Sequence, residues 1–429
     1  MTFPRRTAED RVTSQTPVSV AARRHRWPLL ADRDARLYIS GQIVSMVGDS
    51  SLWLAIGIWV KALTGSSSQA ALVWCAFIVG GMTGPFSSVL VDRLPLRPVL
   101  IVTNLVSAVD VLLLLLVHSG GSAWLTYPVM FGYGFTYALL NAGSSAVVRP
   151  LFGADLLASA NATLTTAKQS MNLVAPLLGA GLFAVVGATP VIVADAVSFL
   201  VAAAAMGLVR TRIPRAVDPS AERPGAWVVL SAGMRHIMRT PPLRRVVLAV
   251  SVAILGLGFL EPVEFDVNSQ GLHHSPAFMG LLFGCQGVGA LLGGGYAARA
   301  IRAGGEVRTG AAGLAAASAG IAAMAATLLP IVLLGFAVYG AGLTWVSVAQ
   351  QTQLQRRTPA HTQGRAAGAA SLLTKTPQAI GIAAGSALIN ATGYLLLLAV
   401  IALLTGSAAT WLFAARDEYE DEPAQVEPA

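Results

Sequence analysis

The chain has 429 residues, of which 55% are hydrophobic and only 12% charged, and its mean hydropathy is +0.65. A soluble protein of this length carries roughly twice that charged fraction, so the composition excludes an ordinary soluble domain. The net charge of +8 does not indicate a nucleic-acid-binding protein either, because the bases are spread along the chain rather than gathered in one region.

Twelve apolar segments follow one another along the chain, each close to the ~20 residues that a helix needs to cross hydrocarbon. They lie at 37–60, 69–91, 98–118, 123–147, 156–187, 189–209, 244–267, 276–298, 309–328, 330–354, 364–389 and 393–415. The sequence therefore predicts an all-α membrane protein with twelve transmembrane helices.

The positions of the arginines predict how these segments are oriented. All 26 arginines lie near the two termini or in every second gap between the segments, and Lys61 is the only strong base in any other gap. Because short loops rich in Arg and Lys stay cytoplasmic, we expect both termini to be cytoplasmic.

The 26 arginines against 3 lysines, with abundant Ala and Gly, favour a GC-rich bacterial genome and so a bacterial plasma membrane.

The gaps and tails divide the chain into five parts. We expect a disordered basic cytoplasmic tail at 1–35, six-helix halves at 36–209 and 244–415, a cytoplasmic linker at 210–243 and an acidic cytoplasmic tail at 416–429. Within the linker, residues 226–239 place apolar side chains at helical spacing opposite basic ones. This pattern predicts an amphipathic helix that lies in the membrane interface.

The two halves repeat chemically unusual residues at nearly the same offset. The matched pairs are Cys75 and Cys285 (210 apart), Lys168 and Lys375 (207 apart), and Asp49 and Glu261 (212 apart). A repeated offset of this kind indicates a duplicated six-helix unit, so we predict two pseudo-symmetric halves.

Three sequence motifs carry a family resemblance: residues 41–49 in the first segment, Asp92-Arg93-Leu94-Pro95-Leu96-Arg97 after the second, and Asn172 to Gly181 in the fifth. Together they resemble the major facilitator superfamily, and within it the drug-exporter group that includes macrolide efflux proteins and the enterobactin exporter. The motifs depart from the family pattern at four positions: Ser88, Pro98, Ala175 and Ala180.

The resemblance implies a fold and a function. It implies a secondary active transporter, not an enzyme, that exports drug-like or secondary-metabolite molecules by proton antiport with alternating access. It also implies a cytoplasmic gate at Asp92, Arg93 and Arg97, for which the alternative is simple topological anchoring. It implies an antiporter-like motif at Pro176, Gly179 and Gly181, where the proline kinks the helix and the glycines let a neighbour approach; ordinary small-residue packing is the alternative.

Carboxylates inside the apolar segments are the strongest candidates for coupling sites. Asp49 lies about 20 Å along its helix from Arg36, near mid-bilayer, where burial of a carboxylate costs about 3 kcal/mol or more. We expect Asp49 to load and release a proton; the alternative is a static partner of Lys168 or Lys375. We expect Glu261 to be a proton-coupling residue or one that binds a substrate cation. Glu264 and Asp266 lie near the outer mouth, and we expect structural roles for Asp110 and Asp195.

Lys168 and Lys375 occupy matching positions of the two halves in a chain that otherwise uses arginine. We expect each to face the central cavity as the charge partner of Asp49 or Glu261; the alternative is that each extends toward the cytoplasmic face. We also expect Lys168→Ala to impair transport more than Lys61→Ala.

Aromatic residues cluster in the segments that line the cavity of this family. We expect a substrate cavity formed by Trp53, Tyr133, Tyr137, Phe259, Tyr339 and Trp345, suited to bulky, amphipathic, cationic ligands, with membrane packing as the alternative for each residue.

No phosphate-binding loop or metal motif occurs, so we expect no cofactor and no metal. The expected partners are a small-molecule substrate, protons and the lipid bilayer, with no nucleic acid, and the expected state is a monomer. The alternatives are an importer of the same fold and a non-transporting membrane sensor.

Overall fold

The computed structural model describes residues 32–211, 226–359 and 362–414. In this part of the chain there are twelve α-helices: α1 Arg33–Thr64, α2 Ser67–Gly81, α3 Gly84–Arg93, α4 Leu96–Leu112, α5 Thr126–Val186, α6 Ala188–Leu208, α7 Ala226–Arg239, α8 Pro241–Asp266, α9 Met279–Ala323, α10 Leu329–Arg356, α11 Gln363–Thr392 and α12 Tyr394–Ala414. The predicted tails, apart from the residues next to α1, and linker residues 212–225 lie outside the described residues.

The helices do not correspond one to one with the predicted segments, and the two differ at three places. The second segment is divided into α2 and α3, the fourth and fifth form the single helix α5, and the eighth and ninth form α9. In α9 the two segments meet at Gly305, whose positive φ of 74° interrupts the helical backbone. The division after α2 has a local cause, because the Thr83 hydroxyl bonds back to the Gly80 carbonyl and Pro85 has no N–H to donate.

The helices are built for a lipid environment. Seven helical runs among the described residues are long and apolar enough to cross a membrane. Their outward faces carry exposed apolar side chains such as Val109 of α4, Val197 of α6 and Leu403 of α12. Large apolar groups on the outside and polar groups inside are the pattern expected where lipid rather than water surrounds the protein.

The helices pack as two groups. In the first, α1 packs against α5 and α6, and α4 packs against α6; in the second, α8 packs against α11 and α12, and α9 packs against α10. The groups meet chiefly where α2 packs against α11 and α5 packs against α9. We call the end of the bundle where α1 ends the outer end, after the predicted orientation, and the end where α1 begins the inner end.

Helix α7 covers Ala226–Arg239, the residues for which the sequence predicts an amphipathic helix. Its Ile237 is fully buried and clusters with Leu230 and Met234 against α8 and α11. Trp227, at the start of the same predicted apolar face, is exposed and meets the edge of the Phe86 ring of α3. The helix thus packs mainly on the second group of helices at the inner end.

Candidate functional site

At the outer end, the two groups of helices are joined by a buried ion pair. The Lys61 Nζ of α1 lies 3.5 Å from Asp266 Oδ1 of α8, and it donates a hydrogen bond of 2.6 Å to Ser67 Oγ of α2. The Ser67 hydroxyl in turn donates to the same Asp266 oxygen. Lys61 is therefore part of the interface between the halves, so Lys61→Ala is not a neutral reference for the effect predicted for Lys168→Ala.

Two further contacts join the halves between α2 and α11. The Ser68 hydroxyl donates to the Ser386 carbonyl at 2.6 Å, and the Cys75 thiol lies 3.5 Å from the Ala379 carbonyl. The first of these groups is buried, so little water competes for the hydrogen bond. Together with the ion pair, these contacts close the outer end.

Below this closure lies a central cavity of about 870 Å³, a size typical of small-molecule binding sites. Its walls come from α1, α2, α5, α8, α9 and α10, and they extend toward the inner end as far as Gln351 of α10. Both groups of helices contribute, as expected for a site at the interface of two repeats.

Asp49 lies on the wall of this cavity and is held by a tyrosine. The Tyr133 hydroxyl of α5 donates a hydrogen bond of 2.7 Å to Asp49 Oδ1. The Tyr133 ring is itself fixed, since it packs against Phe77 of α2 and Phe199 of α6 with ring centroids 5.6 and 5.9 Å apart. The sequence placed Asp49 and Tyr133 in one cavity but did not pair them.

The cavity wall beside Asp49 is aromatic. Trp53 stacks at a tilt on Trp74 with centroids 4.0 Å apart, and its ring meets Phe77 edge-on at 4.8 Å. Phe77 also contacts Tyr137 at 5.5 Å. Four of the six predicted cavity residues line the cavity: Trp53, Tyr133, Tyr137 and Tyr339.

The other two predicted cavity residues do not line it. Phe259 packs at the edge of the apolar core, where its backbone lies against Gly385 of α11. Trp345 turns toward α9, and its indole N–H donates to the Gly293 carbonyl at 2.7 Å. In both cases the helix turns the aromatic residue away from the face that its cavity-lining neighbours present.

The second half contributes two carboxylates to the cavity. Glu261, which the sequence predicts as a coupling residue, and Glu264, which the sequence places at the outer mouth, both lie on the cavity wall. Both also lie close enough to Tyr339 of α10 for their charges to act on its hydroxyl. Among the described residues, no lysine or arginine lines the cavity, so it presents carboxylates without basic counterions on its walls.

The two intramembrane lysines lie near this site but form no close carboxylate pair. Lys168 is near enough to Asp49 for its charge to act on that carboxylate, and near enough to Lys375 for the two charges to interact. The Nζ of Lys375 lies 3.5 Å from the position that a Cβ on Gly81 would occupy. No ion pair found among the described residues involves Lys168 or Lys375, so the predicted direct pairing is not present at contact distance.

The residues of the predicted gate are only partly described. The side chains of Asp92 and Arg93 lie outside the described residues. Arg97 donates to the Gly207 carbonyl at the end of α6. This contact lies within the first half, where a cation at a helix C-terminus is favourable, and it does not join the two halves.

The antiporter-like motif shows close packing at one of its glycines. Gly179 is buried against the Ser51 carbonyl of α1, where an added Cβ would collide with backbone atoms. Gly181 is exposed, and no atom of the described residues lies within 4 Å of a Cβ at that position, so the close approach predicted for it is not found among them. Two residues along a helix turn by about 200°, which places the two glycines on opposite faces. The side chain of Pro176 lies outside the described residues.

Two signals in the sequence could have revealed more of this site. Tyr133 and Tyr339 are 206 residues apart, which matches the offset of the other repeated residues. Glu264 follows Glu261 by three residues, a spacing that places both carboxylates on one face of a helix.

Comparisons with known proteins agree on the fold. A family model for the Major Facilitator Superfamily matches residues 38–381. No curated protein sequence matches the chain. Three solved structures are similar, with almost their whole length covered: the nucleoside transporter NupG (TM-score 0.70, 12% identity, 90% of this chain and 100% of that chain), an auto-inhibited POT family peptide transporter (0.70, 14%, 91% and 99%) and a bacterial homologue of the iron transporter ferroportin in an inward-facing state (0.67, 16%, 89% and 98%). At these identities the similarity is one of fold alone.

Proposed function

We propose that this chain, which belongs to the Major Facilitator Superfamily, exports drug-like or secondary-metabolite molecules by proton antiport. The solved structures that resemble it are transporters. In this proposal it works as a monomer in the bacterial plasma membrane, with both termini cytoplasmic. The observation that carries the proposal is the cavity, which combines an aromatic wall with carboxylates from both halves.

The chemistry of the cavity supports a bulky, amphipathic cation as the exported ligand. The rings of Trp53, Tyr133 and Tyr137 offer π faces, and a cation over such a face gains about 0.5–2 kcal/mol. Glu261 and Glu264 add negative charge, and no basic side chain among the described lining residues opposes it. A neutral or anionic ligand would leave these carboxylates without a partner.

The position of Asp49 supports proton coupling. It lies on the cavity wall at mid-helix, and the cavity is closed at the outer end by the Lys61–Asp266 contact. When ionised, the carboxylates attract the cation; when a proton neutralises Asp49, that attraction weakens and the cation is released. If access to the cavity alternates between the two sides, this competition exchanges one cation for protons.

A transport assay in proteoliposomes tests the proposal, with the lipophilic cation tetraphenylphosphonium as the probe. A pH gradient should drive accumulation of the probe by the unmodified protein. Asp49→Asn should reduce accumulation to the level of protein-free liposomes, because a side chain that stays neutral cannot exchange a proton. The same variant should retain counterflow of the probe without a pH gradient, since counterflow requires no net proton movement.

Asp110→Asn is the matched control, because Asp110 is a carboxylate of the same half that packs beside Gly132 and does not line the cavity. It should transport the probe like the unmodified protein. Undiminished pH-driven accumulation by Asp49→Asn would contradict a coupling role for Asp49. Movement of the probe in the same direction as the proton flow, rather than in the opposite direction, would favour an importer.

A further inference from the structure

Asp195 of α6 lies directly behind the Asp49–Tyr133 pair. Its side chain is completely buried, and the sequence analysis predicts only a structural role for it. Asp195 and Ser198 press so closely on Gly48 of α1 that no side chain would fit at that position. Because Gly48 immediately precedes Asp49, the packing of α6 on α1 brings Asp195 to the back of the cavity wall.

The hydrogen bonds around Asp195 are incomplete. The Ser198 hydroxyl lies 2.7 Å from the Asp195 carbonyl and 3.4 Å from Asp195 Oδ1, so its single hydrogen serves chiefly the backbone. Asp195 Oδ2 has no hydrogen-bond partner among the described residues, and no ion pair to Asp195 is found among them. A fully buried ionised carboxylate without a partner is costly, and a protonated one removes most of that cost.

The Tyr133 hydroxyl is hydrogen-bonded to Asp49 and lies near Asp195. This hydroxyl has one hydrogen, which it donates to Asp49, and its oxygen remains able to accept. Asp195 lies near the same hydroxyl but forms no hydrogen bond to it in this structure, where Asp195 Oδ2 has no partner among the described residues. A protonated Asp195 whose carboxyl group turns toward Tyr133 would donate to the Tyr133 oxygen while Tyr133 donates to Asp49, and each of the three groups would then have a partner.

We propose that Asp195, Tyr133 and Asp49 form one proton-holding unit, in which Asp195 is a reserve acid that exchanges its proton with Asp49 through the Tyr133 hydroxyl. As the Asp195 proton moves to the Tyr133 oxygen, the Tyr133 proton moves to Asp49. Asp195 then becomes the carboxylate, Asp49 becomes the acid and Tyr133 is unchanged. This inference rests on the proton coupling proposed above.

Charged and aromatic neighbours surround the unit. Lys168 of α5 is near enough to Asp49 for its charge to act on that carboxylate, and Tyr137 acts on Tyr133 in the same way. Phe77 and Phe199 hold the Tyr133 ring from either side. Two neighbouring carboxylates in such a site repel one another when both are ionised, which favours a single shared proton.

Infrared difference spectroscopy of the purified full-length protein in nanodiscs tests the inference without a ligand. The C=O stretching band of a protonated carboxylic acid is followed as pH changes, and the Asp49 band is assigned by its loss in Asp49→Asn. In Asp195→Asn, the Asp49 band should titrate over a different pH range than in the unmodified protein, because its proton-sharing partner is gone. Asp110→Asn should leave the Asp49 band unchanged.

Tyr133→Phe provides a second variant should Asp195→Asn fold poorly. It keeps the ring that packs against Phe77 and Phe199 and removes only the connecting hydroxyl. The Asp49 and Asp195 bands should then titrate independently of each other. An Asp49 band that titrates identically in Asp195→Asn, Tyr133→Phe and the unmodified protein would overturn the inference and leave Asp195 a packing role.

The two proposals fail in different ways. Coupled titration in the infrared spectra together with full pH-driven transport by Asp49→Asn would refute proton antiport through Asp49 and retain the shared proton. Independent titration together with loss of pH-driven transport in Asp49→Asn would refute only the reserve role of Asp195.

Discussion

Removal of the Lys61 charge should open the outer end of the bundle. The ion pair joins the first half to the second across 205 residues of sequence, and its side chains are only 11% and 7% exposed. Lys61→Met would leave the Asp266 carboxylate buried with the Ser67 hydroxyl as its remaining partner. In an outward-open state water could reach that carboxylate, so the cost of the substitution falls on the closed state alone.

The expected size of the effect follows from the burial of the pair. Loss of one partner from a buried ion pair costs roughly 3–5 kcal/mol. Because the remaining hydrogen bond from Ser67 compensates for part of this, we expect a shift of about 2 kcal/mol between the two states. A shift of that size corresponds to roughly a 30-fold change in the ratio of outward-open to outward-closed protein.

Distances between spin labels measure this ratio directly. Labels are attached to cysteines at Gly121 in the first half and Gln270 in the second, both exposed at the outer end, in a background of Cys75→Ser and Cys285→Ala. Cys75→Ser keeps a donor for the Ala379 carbonyl. The unmodified protein should give mainly one short distance, and Lys61→Met should add a longer one.

A double variant separates the ion pair from general damage to the interface. Replacement of a buried ion pair by apolar groups is often neutral or stabilising, so Lys61→Met combined with Asp266→Leu should restore the short distance. An unchanged distance distribution in Lys61→Met would refute the reasoning, as would a double variant that is as open as the single one.

Three further outcomes are expected. Gly179→Leu should destabilise the protein by about 1–3 kcal/mol through overpacking against α1, whereas Gly181→Leu, on the exposed face, should leave the thermal unfolding temperature unchanged. Lys168→Ala should slow pH-driven transport in proteoliposomes and Lys168→Arg should retain it, because the positive charge acts on Asp49; equal rates for both would leave Lys168 with a packing role. A cysteine at Gly121 should react with an impermeant maleimide in intact cells and a cysteine at Gly304 only in permeabilised ones, and the reverse pattern would contradict the predicted orientation.

The helices and the family fold can be predicted from the sequence, because long hydrophobic runs indicate the helices and a few motifs indicate the family. Asp49 was also identifiable, since a carboxylate in the middle of an apolar run needs a functional or structural reason. The helix boundaries were less predictable: a kink such as the one at Gly305 depends on a single backbone angle, and α5 continues as a helix through residues where the arginine pattern indicated a gap.

Helix periodicity could have corrected part of the predicted cavity. Phe259 precedes Glu261 by two residues, which places it about 200° away around the helix. Glu264 follows Glu261 by three residues, which places the two glutamates on nearly the same face. The structure accordingly has both glutamates on the cavity wall and Phe259 away from it. The Lys61–Asp266 pair is a different case, because no local pattern relates two residues of different halves; only the packing of α1 and α2 on α8 brings them together.

Each half places carboxylates near a cavity tyrosine, but the halves differ in where the second acid lies. In the first half, Asp49 lies on the cavity wall bonded to Tyr133, and Asp195 is fully buried behind it. In the second half, Glu261 and Glu264 lie on one face of α8, and both reach the cavity beside Tyr339. An acid behind the tyrosine can hold a proton but cannot contact a ligand, whereas an acid on the wall can contact the ligand directly. In the proposed exchange, the first half would therefore store the proton and the second half would bind the cation.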